Sequence, residues 1–183
     1  MLVARGLTKE YQSGTQRLTV LQSIFPGAVG RLVAVSPLKR FALGLNAERT
    51  LIAAECIGDG YWFIDRAKKY ANERVVFGRP IGQNQGVQFP IADAFIELEA
   101  ANLMRWKACE KIDAMQNAGA EANMAKYLAA KASWEAANVC LQTHGGFGFA
   151  CEYDIERKFR ETRLYQVAPV STNMIFSYVA EHI

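Results

Sequence analysis

The chain has 183 residues, 51% of them hydrophobic and 21% charged, with a formal net charge of +3. That balance suits one sizeable buried core, or one domain with an appendage, and excludes a disordered polyelectrolyte. No apolar run reaches the ~20 residues that cross a bilayer, because Gln22, Pro26, Gly30 and Arg31 cut the stretch between Leu18 and Val35, so a soluble protein without a membrane span is expected.

Four cysteines, Cys56, Cys109, Cys140 and Cys151, are widely spaced and form no CxxC pair, and only His144 and His182 could join them as ligands. No metal site is expected. Reduced thiols in a cytoplasmic or mitochondrial-matrix compartment fit this pattern.

Within residues 1–42, Arg5, Lys9, Arg17, Arg31, Lys39 and Arg40 stand against the single acid Glu10, whereas the remainder carries a slight acidic excess. This shift places a boundary near residue 42 and leaves 1–42 as an unassigned basic segment. A basic, acid-poor stretch has the composition of a mitochondrial presequence, but Pro26, Gly27 and Pro37 would interrupt its helix, and a poorly ordered tail or linker is the plainer expectation. Cations this scattered, with only Tyr11 and Phe25 among them, make no nucleic-acid surface.

From residue 43 to 183 the pattern is helical. Asn46 is a suitable cap for a first helix from Ala47 to Glu73, whose polar stripe runs through Glu48, Glu55, Asp59, Arg66, Lys69 and Glu73, with Leu51, Ala54, Ile57, Tyr61 and Ile64 as core candidates. Gly78, Pro80, Gly82 and Gly86 mark a connection. A second helix begins near Val87, with Pro90 tolerated in its first turn, and carries Ile91, Phe95, Leu98, Ala101, Ala108, Ile112 and Met115 at helical spacing. After a break at 116–120, an alanine-rich third helix covers about Glu121 to Gln142. The run His144–Phe149 is too glycine-rich for a helix interior, and short helices follow near Asp154–Tyr165 and Ser171–His182. No convincing strand alternation appears after residue 43, so the expected fold is all-α, an antiparallel helical bundle.

Three segments carry a family resemblance. Tyr70-Ala-Asn-Glu-Arg-Val-Val-Phe-Gly78, followed by Pro80-Ile-Gly-Gln-Asn-Gln85, resembles the Arg-x-x-Phe-Gly and downstream Gln segment of acyl-CoA dehydrogenases. The run Gln142-Thr-His-Gly-Gly-Phe-Gly-Phe149 is similar to that family's Gln-x-x-Gly-Gly-x-Gly loop, and Arg160-Glu-Thr-Arg-Leu-Tyr-Gln166 to its Arg-Asp segment. Each signal alone is weak, but three in family order at helix-length intervals are specific. The resemblance spans residues 43–183 and implies the C-terminal helical domain of a flavoprotein oxidoreductase. Its implied reaction is α,β-dehydrogenation of an acyl-CoA thioester with FAD.

Site residues follow from the same resemblance. Arg74 matches the arginine that reaches the FAD diphosphate, Phe77 and Gln85 match neighbouring cofactor-side positions, and Gln142, Gly145 and Gly146 match the loop at the diphosphate and adenine end. Ser171 and Asn173 stand where the family has a Thr and a Gln near the flavin. The usual base position holds Pro169, with no acid between Ala168 and Val170. A minority of the family places its base in the first long helix beside an arginine, and Gly44-Leu-Asn-Ala-Glu-Arg49 matches that pattern, which makes Glu48 the candidate base and Arg49 a substrate-side cation. Two plainer readings stand beside these: Glu48 as an acid favoured by the helix dipole in a first turn, and Arg49 as a salt-bridge residue. The resemblance further implies a homo-oligomer, dimer or tetramer, with some FAD contacts from the adjacent subunit, and an electron-transfer flavoprotein-type acceptor. The family's N-terminal helical and β-barrel domains have no counterpart in residues 1–42, so a non-catalytic bundle serving oligomerisation or interaction is the alternative.

Overall fold

The computed structural model describes residues 9–13, 16–21 and 37–182, and the chain divides into two compact units, 1–42 and 43–183. In the first, β1 (Lys9–Ser13) and β2 (Gln16–Leu21) pair antiparallel, with Tyr11 opposite Leu18 and a bulge between Lys9 and Glu10. The β-branched Thr19 and Val20 favour this extended conformation. A structureless tail was expected here, and at these residues a hairpin stands instead. The expected interruptions at Pro26 and Gly27 lie outside the described residues.

The second unit is the predicted helical bundle, with corrected boundaries. Helix α1 spans Pro37–Glu73. Asn46 is therefore not its cap: it lies inside the helix, where its carbonyl accepts from Thr50 Oγ1 at 2.9 Å and its side chain accepts from Arg49 Nη1 at 3.0 Å. Proline at the first helical position suits the start observed, since its missing N–H has no helical partner there. Ile57 and Ile64 are buried as expected, with Ala53, Cys56, Phe63 and Ala67, but Leu51 and Ala54 face outward. The supposed solvated stripe is broken at Asp59, which is buried beneath α4.

Helix α2 (Gln85–Asp113) starts two residues earlier than expected and keeps Pro90 inside its first turns. Leu98, Ala101 and Ala108 reach the core, whereas Phe95 and Met115 are exposed. Helix α3 (Gly119–His144) returns antiparallel: Lys111 near the end of α2 pairs with Glu121 at the start of α3, and Gly86 at the start of α2 shares a cleft with Gln142 near the end of α3. Small residues set the helix spacing. Ala122, Ala125, Ala129, Ala132, Ala136 and Ala137 of α3 are almost wholly buried. At Gly60 of α1 an added Cβ would come within 2.2 Å of the Leu98 side chain of α2, so Leu98 packs directly over this glycine and would have to move for any larger residue.

Between α1 and α2, β3 (Val75–Val76) and β4 (Arg79–Pro80) form a minimal antiparallel hairpin that periodicity did not reveal. Its two tip residues, Phe77 and Gly78, have φ of 53° and 81°, the signs that a type I′ turn demands. Beyond α3, tight turns of 3₁₀ helix at Gly145–Phe149 and Cys151–Tyr153 lead into α4 (Ile155–Leu164) and then α5 (Thr172–Ala180). All four cysteines are free. Burial pushes the Cys56 and Cys140 thiols up to about 12, so both are inert packing groups.

Candidate functional site

The residues singled out from the sequence fall toward the two ends of α1. With a rise of about 1.5 Å per residue, Glu48 and Glu73 are about 38 Å apart.

At the C-terminal end, α1 delivers Arg74, whose carbonyl accepts from Ile81 N–H at 2.9 Å and so ties the hairpin back to the helix. The Arg74 guanidinium lies 5.5 Å from the centre of the Phe147 ring, which fixes it beside the glycine loop. Phe147 belongs to an aromatic group with Tyr70, His144 and Tyr153, in which Tyr70 stacks on His144 at 4.1 Å. His144 Nδ1 lies 2.8 Å from the Cys140 carbonyl, an arrangement in which Nδ1–H donates. Burial holds this imidazole below its ordinary value, outweighing the carbonyl contact, with Arg66 pressing in the same direction. His144 is thus a buried, hydrogen-bonded support of the loop.

Gly145 takes φ 56° and ψ −132°, a conformation open to glycine, and added Cβ atoms at Gly145 and Gly146 would meet nothing within 4 Å. Bare backbone therefore faces open space next to Arg74. Among the described residues no carboxylate stands within ion-pair distance of that arginine. Gln142 and Thr143 line a cleft of about 520 Å³ with Gly86, Val87, Pro90 and Asn138. Gln85, exposed at the first position of α2, adjoins it. Phe77 projects from the hairpin tip, fully exposed.

Toward the other end, Glu48 is exposed and Arg49 half-buried. Glu48 lies about three turns inside α1, so the first-turn dipole argument for it fails. Arg49 makes no ion pair among the described residues, and its Nε is buried without a partner. Burial lowers its affinity for the proton, opposed by the fields of Tyr178 and Glu48. Ser171 occupies the N-cap position of α5, yet its hydroxyl makes no capping bond, and Asn173 is exposed in the first turn. Pro169 follows a cis peptide bond and presents no ionisable group.

The sequence reading missed the buried polar groups between these ends. Asp59 pairs with Lys158 at 2.6 Å and lies 3.4 Å from the Thr162 hydroxyl, which donates to it. Burial works against the Lys158 ammonium, but Asp59 and Glu161 raise its affinity for the proton overall. Lys126 is 1% exposed, and its Nζ donates to the Val170 carbonyl at 2.8 Å. Among the described residues there is no metal-binding group of histidine, cysteine or carboxylate side chains, and no helix is long and apolar enough to cross a membrane.

Comparison with known proteins decides the ancestry. The family model "Acyl-CoA dehydrogenase, C-terminal domain" matches residues 38–183. The chain belongs to the acyl-CoA dehydrogenase family. It is 41% identical over 140 residues to acyl-CoA dehydrogenase FadE12 of Mycobacterium tuberculosis, a match covering 75% of this chain and 36% of that protein. Among solved structures, the glutaryl-coenzyme A dehydrogenase glutaryl-CoA complex superposes with a TM-score of 0.74 at 34% identity, over 78% of this chain and 36% of the other. PigA with FAD and proline superposes with a TM-score of 0.71 at 26% identity, over 73% and 35%. The chain spans about a third of the length of such relatives.

The acyl-CoA dehydrogenase family member described here therefore has the helical C-terminal fold that the resemblance implied. Its nucleotide-side candidates are grouped at one end of α1 and its candidate base stands toward the other.

Proposed function

We propose that this chain is the C-terminal part of an FAD-dependent oxidoreductase that dehydrogenates an acyl-CoA thioester between its α and β carbons, and that each copy contributes two half-sites to different cofactors. The observation that carries this reading is the separation of about 38 Å between Glu48 and the C-terminal end of α1, too long for residues at both ends to meet the reacting part of one substrate.

At the Arg74 end the residues fit a diphosphate. An exposed guanidinium without a carboxylate counter-ion offers paired N–H donors to phosphate oxygens. Gly145 and Gly146 leave their backbone open to close approach, while Phe77, Gln85 and Gln142 surround the same end. Bound FAD would supply the acceptor for the hydride leaving the β carbon. At the other end, Glu48 takes the α proton on a carboxylate oxygen, and the product is a trans-2-enoyl thioester. Arg49 supplies positive charge on the substrate side, and Ser171 and Asn173, whose side chains are uncommitted, would contribute polar groups to a bound flavin. Substrate closing over Glu48 would exclude water from the carboxylate that takes the proton.

This reading makes the protein a homo-oligomer, dimer or tetramer, and gives it an electron-transfer flavoprotein-type acceptor in the cytoplasm or a mitochondrial matrix. A second reading, a non-catalytic bundle for assembly, is favoured by one surface: Phe89, Ile96, Leu103 and Trp106 form an exposed apolar stripe along α2.

Subunit complementation tests the half-site arrangement. Glu48→Gln and Arg74→Glu variants, each carrying the domains that precede this one in its relatives, should be inactive alone. Co-assembled, they should regain activity, because one site in each mixed pair receives both substitutions and the other receives neither. Recovery no greater than that of the separate variants would place both residues in one site and refute the arrangement.

A further inference from the structure

Lysine is almost never fully buried without an anionic partner, since withdrawing its charge from water costs several kcal/mol. Lys126 is 1% exposed, and no carboxylate lies within ion-pair distance among the described residues. Burial lowers its proton affinity, with only the Cys56 thiol opposing. Its hydrogen bond goes to the main-chain carbonyl of Val170. One helical turn further along α3, the Ala130 carbonyl accepts from Gln166 Nε2 at 2.7 Å. The segment from Gln166 to Val170 is thus fastened at both ends to consecutive turns of a single helix. Ser171, the N-cap residue of α5, follows immediately, and Val170 is itself buried.

We propose that Lys126 is a positioning residue, whose buried ammonium clamps the Val170 carbonyl to α3 and so fixes where Ser171 and Asn173 stand at the start of α5. The Val170–Ser171 peptide is polarised by the same contact, because a cation on the carbonyl oxygen makes the Ser171 N–H a stronger donor. The clamp explains how α5, a helix of only 9 residues, begins at a defined place without a side-chain cap. The functional importance of that place rests on the assignment of Ser171 and Asn173 to the flavin side. The clamp itself does not.

Its test uses the 183-residue chain without flavin, so it can fail or succeed independently of the dehydrogenase reading. Lys126→Met removes the donor and keeps an unbranched apolar stem, whereas Lys126→Gln removes the charge and keeps a donor. Amide hydrogen exchange at Ile175, whose N–H donates to the Ser171 carbonyl, and at Phe176 and Ser177 in the next positions of α5 should accelerate in the Met variant by about fivefold to tenfold, the worth of one net hydrogen bond. Gln should restore part of the protection, while exchange in the centre of α3 stays unchanged in both. Exchange at Ile175–Ser177 within twofold of the parent in Lys126→Met, or acceleration spread evenly over the whole chain, would overturn the clamp. The parent protein gives a second reading that needs no variant. The Val170 carbonyl carbon resonance should titrate together with Lys126 Nζ, at a lower pH than the surface lysines, and a carbonyl shift that stays flat while Lys126 loses its proton overturns the proposal.

Discussion

Replacing Glu48 by glutamine separates catalysis from helix electrostatics, because the structure gives each a different magnitude. An acid in a helix's first turn contributes roughly 0.3–1 kcal/mol, but Glu48 stands about three turns inside α1, beyond the reach of that effect. It is exposed and makes no ion pair among the described residues. Glutamine is nearly as good a helix former, so stability should change by no more than about 0.5 kcal/mol. As a base, in contrast, Glu48 cannot be replaced by an amide, and the rate of proton removal should fall by roughly 10²–10⁴-fold. The assay joins residues 43–183 to the preceding domains of a close relative, verifies bound FAD by its spectrum, and follows flavin bleaching on addition of acyl-CoA by stopped flow. Glu48→Asp should keep part of the rate, since it retains the carboxylate and draws it back by one methylene. Bleaching at the parent rate in Glu48→Gln would refute the assignment. With Pro169 at the other base position, the assembly reading would then be preferred.

Two further predictions concern groups that hold the bundle. Asp59→Asn should cost about 2–3 kcal/mol in urea unfolding, below the ~3–5 kcal/mol of a fully buried pair because Lys158 keeps Glu161 at 3.2 Å; a loss under about 1 kcal/mol would show that the pair is solvent-screened. The depressed proton affinity of His144 means that the unfolded chain binds a proton first on acidification, so its contribution to stability is full above about pH 6.5 and is lost as pH falls through the lower folded value. His144→Phe, which keeps a ring against Tyr70, should flatten the stability profile between about pH 7 and 5, and an unchanged acid limb in the variant would refute the attribution.

Where the fold was legible, local pattern and tertiary packing agreed. The alanine-rich stretch that became α3 needs small residues for close packing and is also a strong helix former, so its type and extent could be read directly. Asn46 misled because a residue that favours a cap is tolerated inside a long helix when its side chain finds a neighbour, here Arg49. Asp59 misled for another reason, and Lys126 gave no signal at all. Each sits at a spacing compatible with the surface, and only the arrival of α4 or of the Val170 carbonyl, far away in sequence, turns it inward. The glycine loop and the Arg74 segment were readable through resemblance, since bare backbone and a guanidinium are local properties. Their separation from Glu48 was implicit in the expected helix from Ala47 to Glu73, which already held both ends of that distance, although the observed start at Pro37 lies about three turns earlier.

Phe77 shows why that placement bears on function. A bulky residue at φ 53° carries strain of about 1–3 kcal/mol, which glycine would avoid, and full exposure means that the ring gains nothing from burial within this chain. Neither folding of the bundle nor the turn itself accounts for a phenylalanine there. On the proposed reading, a partner covering the hairpin tip would supply the contact this chain does not. Arg74 presents the same situation electrostatically, a guanidinium held in place by Phe147 with its charge uncompensated among the described residues. Both sit at the end of α1 where Gly145 and Gly146 leave the surface bare. An apolar ring, a fixed cation and glycine backbone open to close approach together suit an aromatic nucleotide carrying a diphosphate. On the proposed reading, the features costly to the isolated chain would become favourable when a flavin nucleotide, held largely by another subunit, closes over them.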